Sequence, residues 1–231
     1  MNKYILLLYM EYNEYRLGDT FNFHMHLGYK LYLKNFEYQY ELFPESFGGR
    51  LVKYIIDLGH MPKSESILES LLLNMIQTYN KEIQPKNTEL VIHCRVGDVI
   101  EDSTHTVGEH LRLPLAADAP GMSPHIYVQP LSYYEEVLLR CPIHIQNVRL
   151  VAGGVVRGGN TAGTKSKEYI HKLTTWFESK GLSVQSTLGG NPDEDFVYMC
   201  RAQNFVGGGG GFTQLIRRMR EKLDYNYKFT F

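Results

Sequence analysis

The sequence predicts an α/β fold built on a parallel sheet with helices on both faces, and three observations support this prediction. From residue 148 onwards, short apolar runs alternate with longer amphipathic stretches, as strands and helices do in parallel α/β units. Five consecutive glycines, Gly207 to Gly211, stand between an apolar run and an amphipathic stretch. The chain has 231 residues, 43% of them hydrophobic and 21% charged, which is the composition of a globular protein.

The charge balance excludes partners that are attracted by a strong overall field. Lys and Arg number 24 against 25 Asp and Glu, so we expect no nucleic-acid partner. Residues 4–10, the longest apolar run, are far shorter than the roughly 20 residues of a membrane span. Cys94, Cys141 and Cys200 match neither a disulfide framework nor a zinc site, which favours a reducing compartment. We therefore expect a cytoplasmic protein without a membrane span.

The N-terminal part of the chain alternates between strand and helix patterns. The apolar runs at 4–10 and 51–59 predict strands. Apolar residues within 21–28 recur at roughly helical spacing, which predicts a helix. Apolar residues on one face of 64–79 predict a further helix.

In the middle of the chain, residues 89–95 predict a strand, and 99–129 a long irregular loop. A helix follows Pro130, where Ser132 and Glu135 have the spacing of a capping box.

The C-terminal part predicts three strand–helix pairs with a glycine-rich loop at 153–163. The predicted strands are 148–152, 182–185 and 204–206, and the predicted helices are 165–180, 193–203 and 212–223. Gly181 suits the end of the first of these helices. A boundary between residues 143 and 144 divides the chain into two α/β halves, 1–143 and 144–231, with a cleft between them. Ligands of such sheets bind beyond the carboxyl ends of the strands.

The run of five glycines is costly in backbone entropy, which indicates that something approaches the backbone closely. The N–H groups at the start of the following helix, together with the hydroxyl of Thr213, would suit a diphosphate oxygen. The alternative is a tight turn, or close packing of helix on sheet.

The segment from Gly158 to Ser166 resembles a phosphate-binding loop, since it also joins a strand to a helix. Thr164 separates Gly163 from Lys165, so the lysine and the hydroxyl are displaced by one position from the usual pattern. The segment leaves open a P-loop NTPase or kinase, or an ordinary solvated loop.

Residues 93–98 (HCRVGD) end a predicted buried strand with polar side chains. Arg95 is always charged and its planar guanidinium can hold phosphate through two donors. Alternatively, Arg95 and Asp98 form a structural ion pair and His93 lies in the core. The histidines at 105, 110 and 125 fit no regular ligand spacing, so we expect no metal site.

The segment 93–98 also resembles the H-x-R-R-G-D motif of the GT-B-type fucosyltransferase superfamily, which includes alpha-1,2-, alpha-1,6- and protein O-fucosyltransferases. Three further segments resemble motifs of this superfamily and follow in the same order: 16–22 (RLGDTFN), 130–134 (PLSYY), and 195–202 with 204–213.

The resemblance implies a GT-B-like architecture of two small Rossmann-type halves, with 1–143 on the acceptor side and 144–231 on the nucleotide-sugar side. It implies an inverting, metal-independent glycosyltransferase of glycan biosynthesis that needs no cofactor. The donor would be GDP-fucose or another nucleotide-activated 6-deoxyhexose, and the acceptor a glycan hydroxyl. The implied donor-binding residues are Gly18, Asn22, His93, Arg95, Gly153, Gly154, Asp195, Gly209, Gly210, Gly211, Phe212 and Thr213.

The resemblance also implies two candidates for the general base. Asp19 lies in a loop similar to the one that carries the proposed base of some protein O-fucosyltransferases, although it would equally cap the following helix. Asp98 follows Arg95, whose charge should lower the pKa of Asp98, so an orienting role suits it better. A nucleotide-binding or phosphate-binding module without catalysis is the alternative from another functional class.

Overall fold

The computed structural model describes residues 72–74, 76–80, 82–118, 124–142, 144–153, 163–190, 192–223 and 229–231. The chain separates into two compact units, Met1–Thr78 and Tyr79–Phe231. Within the first unit, residues 72–74 and 76–78 are helical, as the pattern of 64–79 predicts. The predicted strands at 4–10 and 51–59 and the predicted helix at 21–28 lie outside the described residues.

Strands and helices alternate along the described part of the second unit. The strands are β1 (Glu89–Cys94), β2 (Asn147–Ala152), β3 (Ser183–Leu188), β4 (Asn204–Gly207) and β5 (Phe229–Thr230). The helices are α1 (Asp98–Glu101), α2 (Val107–Arg112), α3 (Leu131–Arg140), α4 (Thr164–Ser179), α5 (Pro192–Arg201) and α6 (Gly210–Lys222).

The five strands form one parallel sheet in the order β3-β2-β1-β4-β5, which confirms the predicted α/β class. The chain runs outward from β1 through β2 to β3, then returns to the other side of β1 and continues through β4 to β5. The direction of winding therefore reverses between β1 and β4. In doubly wound sheets, the crevice beyond the carboxyl ends of the strands at such a switch point is where ligands bind.

Helices cover both faces of β1. Alternate residues of a strand point to opposite faces, so β1 contributes side chains to both. Leu90, Ile92 and Cys94 belong to a core cluster shared with α1, α2, α3 and α4. The opposite face of β1 contacts α5, and α5 contacts α6. The core therefore lies in two layers, and β1 is central to both. No helix of the described residues is long and apolar enough to cross a membrane.

The prediction of an irregular loop over 99–129 is wrong for its first part, which contains α1 and α2. Helix α2 begins with a capping box. The Thr106 hydroxyl accepts a hydrogen bond from the Glu109 backbone N–H at 3.3 Å, and the Glu109 carboxylate accepts one from the Thr106 backbone N–H at 2.8 Å. Val107 and Leu111, one turn apart, bury the inner face of this helix.

The capping box predicted at Ser132 does not form. Helix α3 begins at Leu131 after Pro130, and the Ser132 side chain is exposed inside the first turn. Proline fixes its own φ and lacks an N–H group, so Pro130 determines where the helix starts. Ser132 therefore lies inside the helix and not at its N-cap.

The predicted boundary between residues 143 and 144 runs through a single sheet. It separates β1 from β2, yet these strands pair in register from Glu89 opposite Asn147 to Cys94 opposite Ala152. The structure instead groups residues 79–143 with the C-terminal half in one compact unit.

Gly208 should be intolerant of any side chain because it packs on the backbone of β1. A Cβ atom at Gly208 would lie 2.3 Å from the carbonyl oxygen of His93, whereas one at the exposed Gly153 would have no neighbour within 4 Å. We expect Gly208→Ala to lower the free energy of unfolding by about 2 kcal/mol through overpacking. Gly153→Ala, the matched control, should change it by less than about 0.5 kcal/mol. Urea unfolding of both variants measures the difference, and equal effects would contradict this account of β1 and β4.

Candidate functional site

Three segments converge at the switch point, and we call the space they border the crevice. They are the turn after β1 (95–98), the loop after β4 (208–209) and the first turn of α6 (210–213). The close approach of Gly208 to the end of β1 brings the segments together. The crevice therefore unites most of the donor-binding residues predicted in the second unit: His93, Arg95, Gly209, Gly210, Gly211, Phe212 and Thr213.

The five glycines serve two different purposes. Gly207 and Gly208 allow close packing, since a Cβ atom at Gly207 would lie 2.3 Å from Cγ2 of Thr213. Gly209 and Gly210 have φ angles of 92° and 80°, in the left-handed region that favours glycine. This pair turns the chain from β4 into α6 without placing a side chain over the first helical N–H groups. Close packing and a tight turn, the alternative explanation of the run, are thus both present, and the approach of a ligand to the backbone stays a prediction.

The N-terminus of α6 carries a partial positive charge. The helix has 13 residues, its first turn carries no acidic residue, and no side chain hydrogen-bonds at its N-cap among the described residues. The first N–H groups of a helix have no partner within the helix, and its dipole adds partial positive charge there. An anion in the crevice would meet these N–H groups directly.

Arg95 adds a full positive charge beside this helix end. A Cβ atom at Gly210 would lie 3.6 Å from Nε of Arg95. The guanidinium donates to Oδ1 of Asp98 at 2.8 Å and to the carbonyl of Val96 at 2.9 Å. Its side chain is 20% exposed, whereas that of Asp98 is 3% exposed. Arg95 thus reaches the crevice while Asp98 holds it from the buried side.

Asp98 is placed as an orienting group rather than an open acid. Its Oδ1 accepts from Arg95 and also from the backbone N–H of Val99 at 3.0 Å. The predicted ion pair with Arg95 is therefore present.

His93 ties β1 to the first turn of α6. Its Nδ1 lies 2.6 Å from Oγ1 of Thr213, and its ring meets that of Phe212 edge to face at 5.5 Å. Burial, with a smaller contribution from the Arg95 cation, lowers the pKa of His93 to about 3. The ring is consequently neutral at physiological pH, and Arg95 supplies the charge that this part of β1 presents to the crevice.

Asp195 lies apart from the crevice, at the carboxyl end of β3. A Cβ atom at Gly190 would lie 3.1 Å from Oδ2 of Asp195. Asp195 lines a cavity of about 450 Å³ on the β2–β3 side of the sheet together with Arg149, Thr187 and Tyr198. Burial and, to a smaller extent, the Glu194 charge raise the pKa of Asp195 to about 7, against the opposing effect of Arg149.

Strand register relates this cavity to the crevice. His93 pairs with Val151, and Val151 pairs with Thr187, so the three residues form one row across the sheet. Neighbouring strands are about 4.8 Å apart, which places the cavity wall at Thr187 roughly 10 Å from His93.

Five predicted site residues remain, and one of them lies within the described residues. Gly153 is exposed just after β2. Gly18, Asp19, Asn22 and Gly154 lie outside the described residues.

Residues 163–166, the described end of the segment that resembles a phosphate-binding loop, hold the carboxylate of Glu101. The Glu101 side chain accepts hydrogen bonds from the N–H groups of Ser166 at 2.6 Å and Lys165 at 3.3 Å. Nζ of Lys165 donates to the carbonyls of Ser103 at 2.6 Å and His105 at 3.2 Å. A phosphate at the start of α4 would have to displace Glu101, so the geometry opposes the NTPase interpretation.

His105 and His110 each contact a polar neighbour. His110 bonds to Ser103 at 3.1 Å, and His105 faces Asp118 at 3.8 Å. Across the part of the chain that the structure describes, no three His, Cys, Asp or Glu side chains are grouped to hold a metal ion.

Two tyrosines near the crevice were not identified from the sequence as site residues. Tyr133 donates to the carbonyl of Gly207 at 2.8 Å, and Cδ1 of Tyr127 lies 4.0 Å from a Cβ atom placed at Gly209. Tyr127 lies near the end of the 99–129 segment and Tyr133 lies in α3, and no local pattern connects either residue with β4 or its glycines. The PLSYY motif was the available signal for Tyr133.

Comparisons with known proteins add one structural likeness. No protein-family model matches the chain, and no curated protein sequence matches it. Among solved structures, the crystal structure of POFUT1 in complex with GDP aligns with a TM-score of 0.39 and 11% sequence identity. The alignment covers 69% of this chain and 46% of that one, so the chain matches less than half of the POFUT1 chain. The fold assignment rests on the strand order and register described above.

The buried neutral His93 should make stability depend on pH. Its pKa is about 3 in the folded protein against an ordinary 6.5, so between these values the unfolded chain binds the extra proton. Stability from this group is complete above pH 6.5 and decreases as the pH falls. At pH 5 the loss should be about 2 kcal/mol.

Urea unfolding of the wild type and of His93→Gln at pH 7.5 and pH 5 measures this loss. The variant should lose less stability than the wild type over that interval. An identical loss in both proteins would show that His93 is not the group responsible.

Proposed function

We propose that the crevice binds the diphosphate of a nucleotide-activated sugar and that the protein is a glycosyltransferase. The observation that carries the proposal is the position of Arg95 beside Gly210, at the start of α6 and at the switch point of the sheet. A guanidinium donates two parallel hydrogen bonds to phosphate oxygens, and a helix N-terminus supplies further N–H donors. A diphosphate bound between them would be contacted on two sides.

The donor's nucleoside would extend from the crevice toward the cavity beside Asp195. A separation of roughly 10 Å across two strand spacings suits a ribose and base attached to a diphosphate in the crevice. In this arrangement the Asp195 carboxylate accepts hydrogen bonds from N–H groups of the base. The resemblance of residues 93–98 and 195–213 to fucosyltransferase motifs favours GDP-fucose, with another nucleotide-6-deoxysugar as the variant of the same proposal.

The proposed transfer is an inverting displacement at the anomeric carbon. An acceptor glycan hydroxyl attacks from the face opposite the diphosphate, a carboxylate takes its proton, and the bond from the anomeric carbon to the diphosphate oxygen breaks. The nucleoside diphosphate leaves with the bonding electron pair. Arg95 and the α6 N–H groups stabilise the charge that develops on it, which is the electrostatic role that such groups play in catalysis. We assign the base to Asp19 and the orientation of Arg95 to Asp98.

Replacing Arg95 should weaken nucleotide binding. Alanine would leave the buried Asp98 without its cation and destabilise the fold, so Arg95→Lys is the cleaner variant. Lysine keeps the charge but loses the two-pronged geometry, and we expect the Kd for GDP measured by calorimetry to rise roughly tenfold or more. Arg140→Lys, at an exposed position of α3, is the matched control and should leave the Kd unchanged.

A thermal-shift panel of GDP-, UDP- and dTDP-sugars on the wild type identifies the donor, because a ligand bound to the native state raises Tm. No shift with any of them would contradict the proposed function. Binding without transfer or donor hydrolysis would instead indicate a nucleotide-binding module.

The assignment of the base has its own test. Asp19→Asn retains a capping side chain but cannot accept the proton. We expect GDP affinity and Tm to stay near wild type, and turnover to fall by roughly 100-fold, the scale of general-base catalysis. Turnover within a few fold of wild type would exclude Asp19 as the base.

A further inference from the structure

The N-terminus of α4 is occupied by an internal carboxylate that connects it to the turn carrying Arg95. Glu101, at the end of α1, bonds to the backbone of Lys165 and Ser166. A Cβ atom at Gly163 would lie 2.2 Å from Cδ of Glu101, so glycine at this position leaves room for the carboxylate. The glycine, lysine and serine that resemble a phosphate-binding loop thus surround a side chain of the protein.

Ser166 extends this connection to the β1 turn. Its hydroxyl donates to Oε1 of Glu101 at 2.7 Å and accepts from the backbone N–H of Gly97 at 3.1 Å. Ser166 is fully buried. The hydroxyl therefore uses its single proton to donate to Glu101 and one of its acceptor positions to bind the Gly97 N–H. Glu101 thus fixes the direction of the hydroxyl proton.

Gly97 lies between Arg95 and Asp98 and has a φ angle of 81°. The helix that follows, α1, has four residues, too few to hold its own geometry without outside contacts. The hydrogen bond from Gly97 to Ser166 fixes the turn from the side opposite the crevice.

We propose that Ser166, oriented by Glu101, is a positioning residue that holds the Gly97 turn and thereby aims Arg95 at the bound diphosphate. This inference rests on the proposed function. Ser166 touches no ligand, and it acts through the direction it imposes on residues 95–98. Loss of the hydroxyl leaves the Gly97 N–H without this acceptor and lets the turn move, so Arg95 spends less time in the binding geometry.

The first measurement needs no ligand. Amide hydrogen exchange of Gly97, followed by NMR in the full chain, should be at least roughly tenfold faster in Ser166→Ala than in wild type, the scale of one lost hydrogen bond. Ser179→Ala removes an exposed hydroxyl from the same helix and is the matched control. Glu101→Gln keeps an acceptor for Ser166 without the charge and should shift exchange in the same direction by less. Unchanged exchange in both Ser166→Ala and Glu101→Gln would overturn the inference.

The second measurement distinguishes positioning from general destabilisation. The Kd for GDP should rise roughly tenfold in Ser166→Ala, but by much less when the same change is made in the Arg95→Lys background, because the effect passes through the guanidinium. Equal losses in both backgrounds would overturn the inference and leave the proposed function intact. If the wild type binds no nucleoside diphosphate, the proposed function fails, and the functional half of this inference fails with it.

Discussion

The close contact between Gly208 and the end of β1 determines the geometry of the whole crevice. A backbone without a side chain can approach the carbonyl of His93 at this point, and no other residue type fits the available space. This approach brings the start of α6 beside the β1 turn, so that Thr213 reaches His93 and Gly210 lies near Arg95. The approach of α6 to the β1 turn therefore depends on a contact that involves no polar side chain.

Arg95 supplies the charge at the crevice, and the buried Asp98 holds its guanidinium from behind. Burial keeps the neighbouring His93 ring neutral. A buried ion pair contributes little net stability, because the desolvation of both groups offsets their attraction. Its contribution here is orientation, since the guanidinium stays extended toward the start of α6 instead of folding back onto the surface.

Local patterns in the sequence predict β1 to β4, the helices α3 to α6 and the polar groups at the end of β1, but they do not predict β5, α1 or α2. Apolar runs such as 89–95 and 148–152 are long enough to identify buried strands, and the glycine run indicates close backbone contact. The order of the strands was not predictable, because β1 pairs with β4 across more than a hundred residues. The spacing of a capping box occurs in the sequence at both Thr106 and Ser132. The box at Ser132 does not form, because α3 begins directly after Pro130.

Contacts of the tertiary structure account for what the sequence does not reveal about the site. Ser166 lies 69 residues from Gly97, and no local signal connects them. The cavity beside Asp195 is built from β2, β3, α5 and the segment before β1, so a motif that contains Asp195 identifies the residue and not its surroundings.

The neutrality of His93 limits the charge that the end of β1 presents to an anion. With the ring uncharged, the formal positive charge there is that of Arg95, which the Asp98 carboxylate balances. Most of the remaining attraction would come from N–H dipoles, which act over short distances and are less sensitive to ionic strength than charge pairs in solvent. An anion would then be attracted mainly while it is in contact with the helix end. Once it has moved away by a few ångströms, little long-range attraction would draw it back.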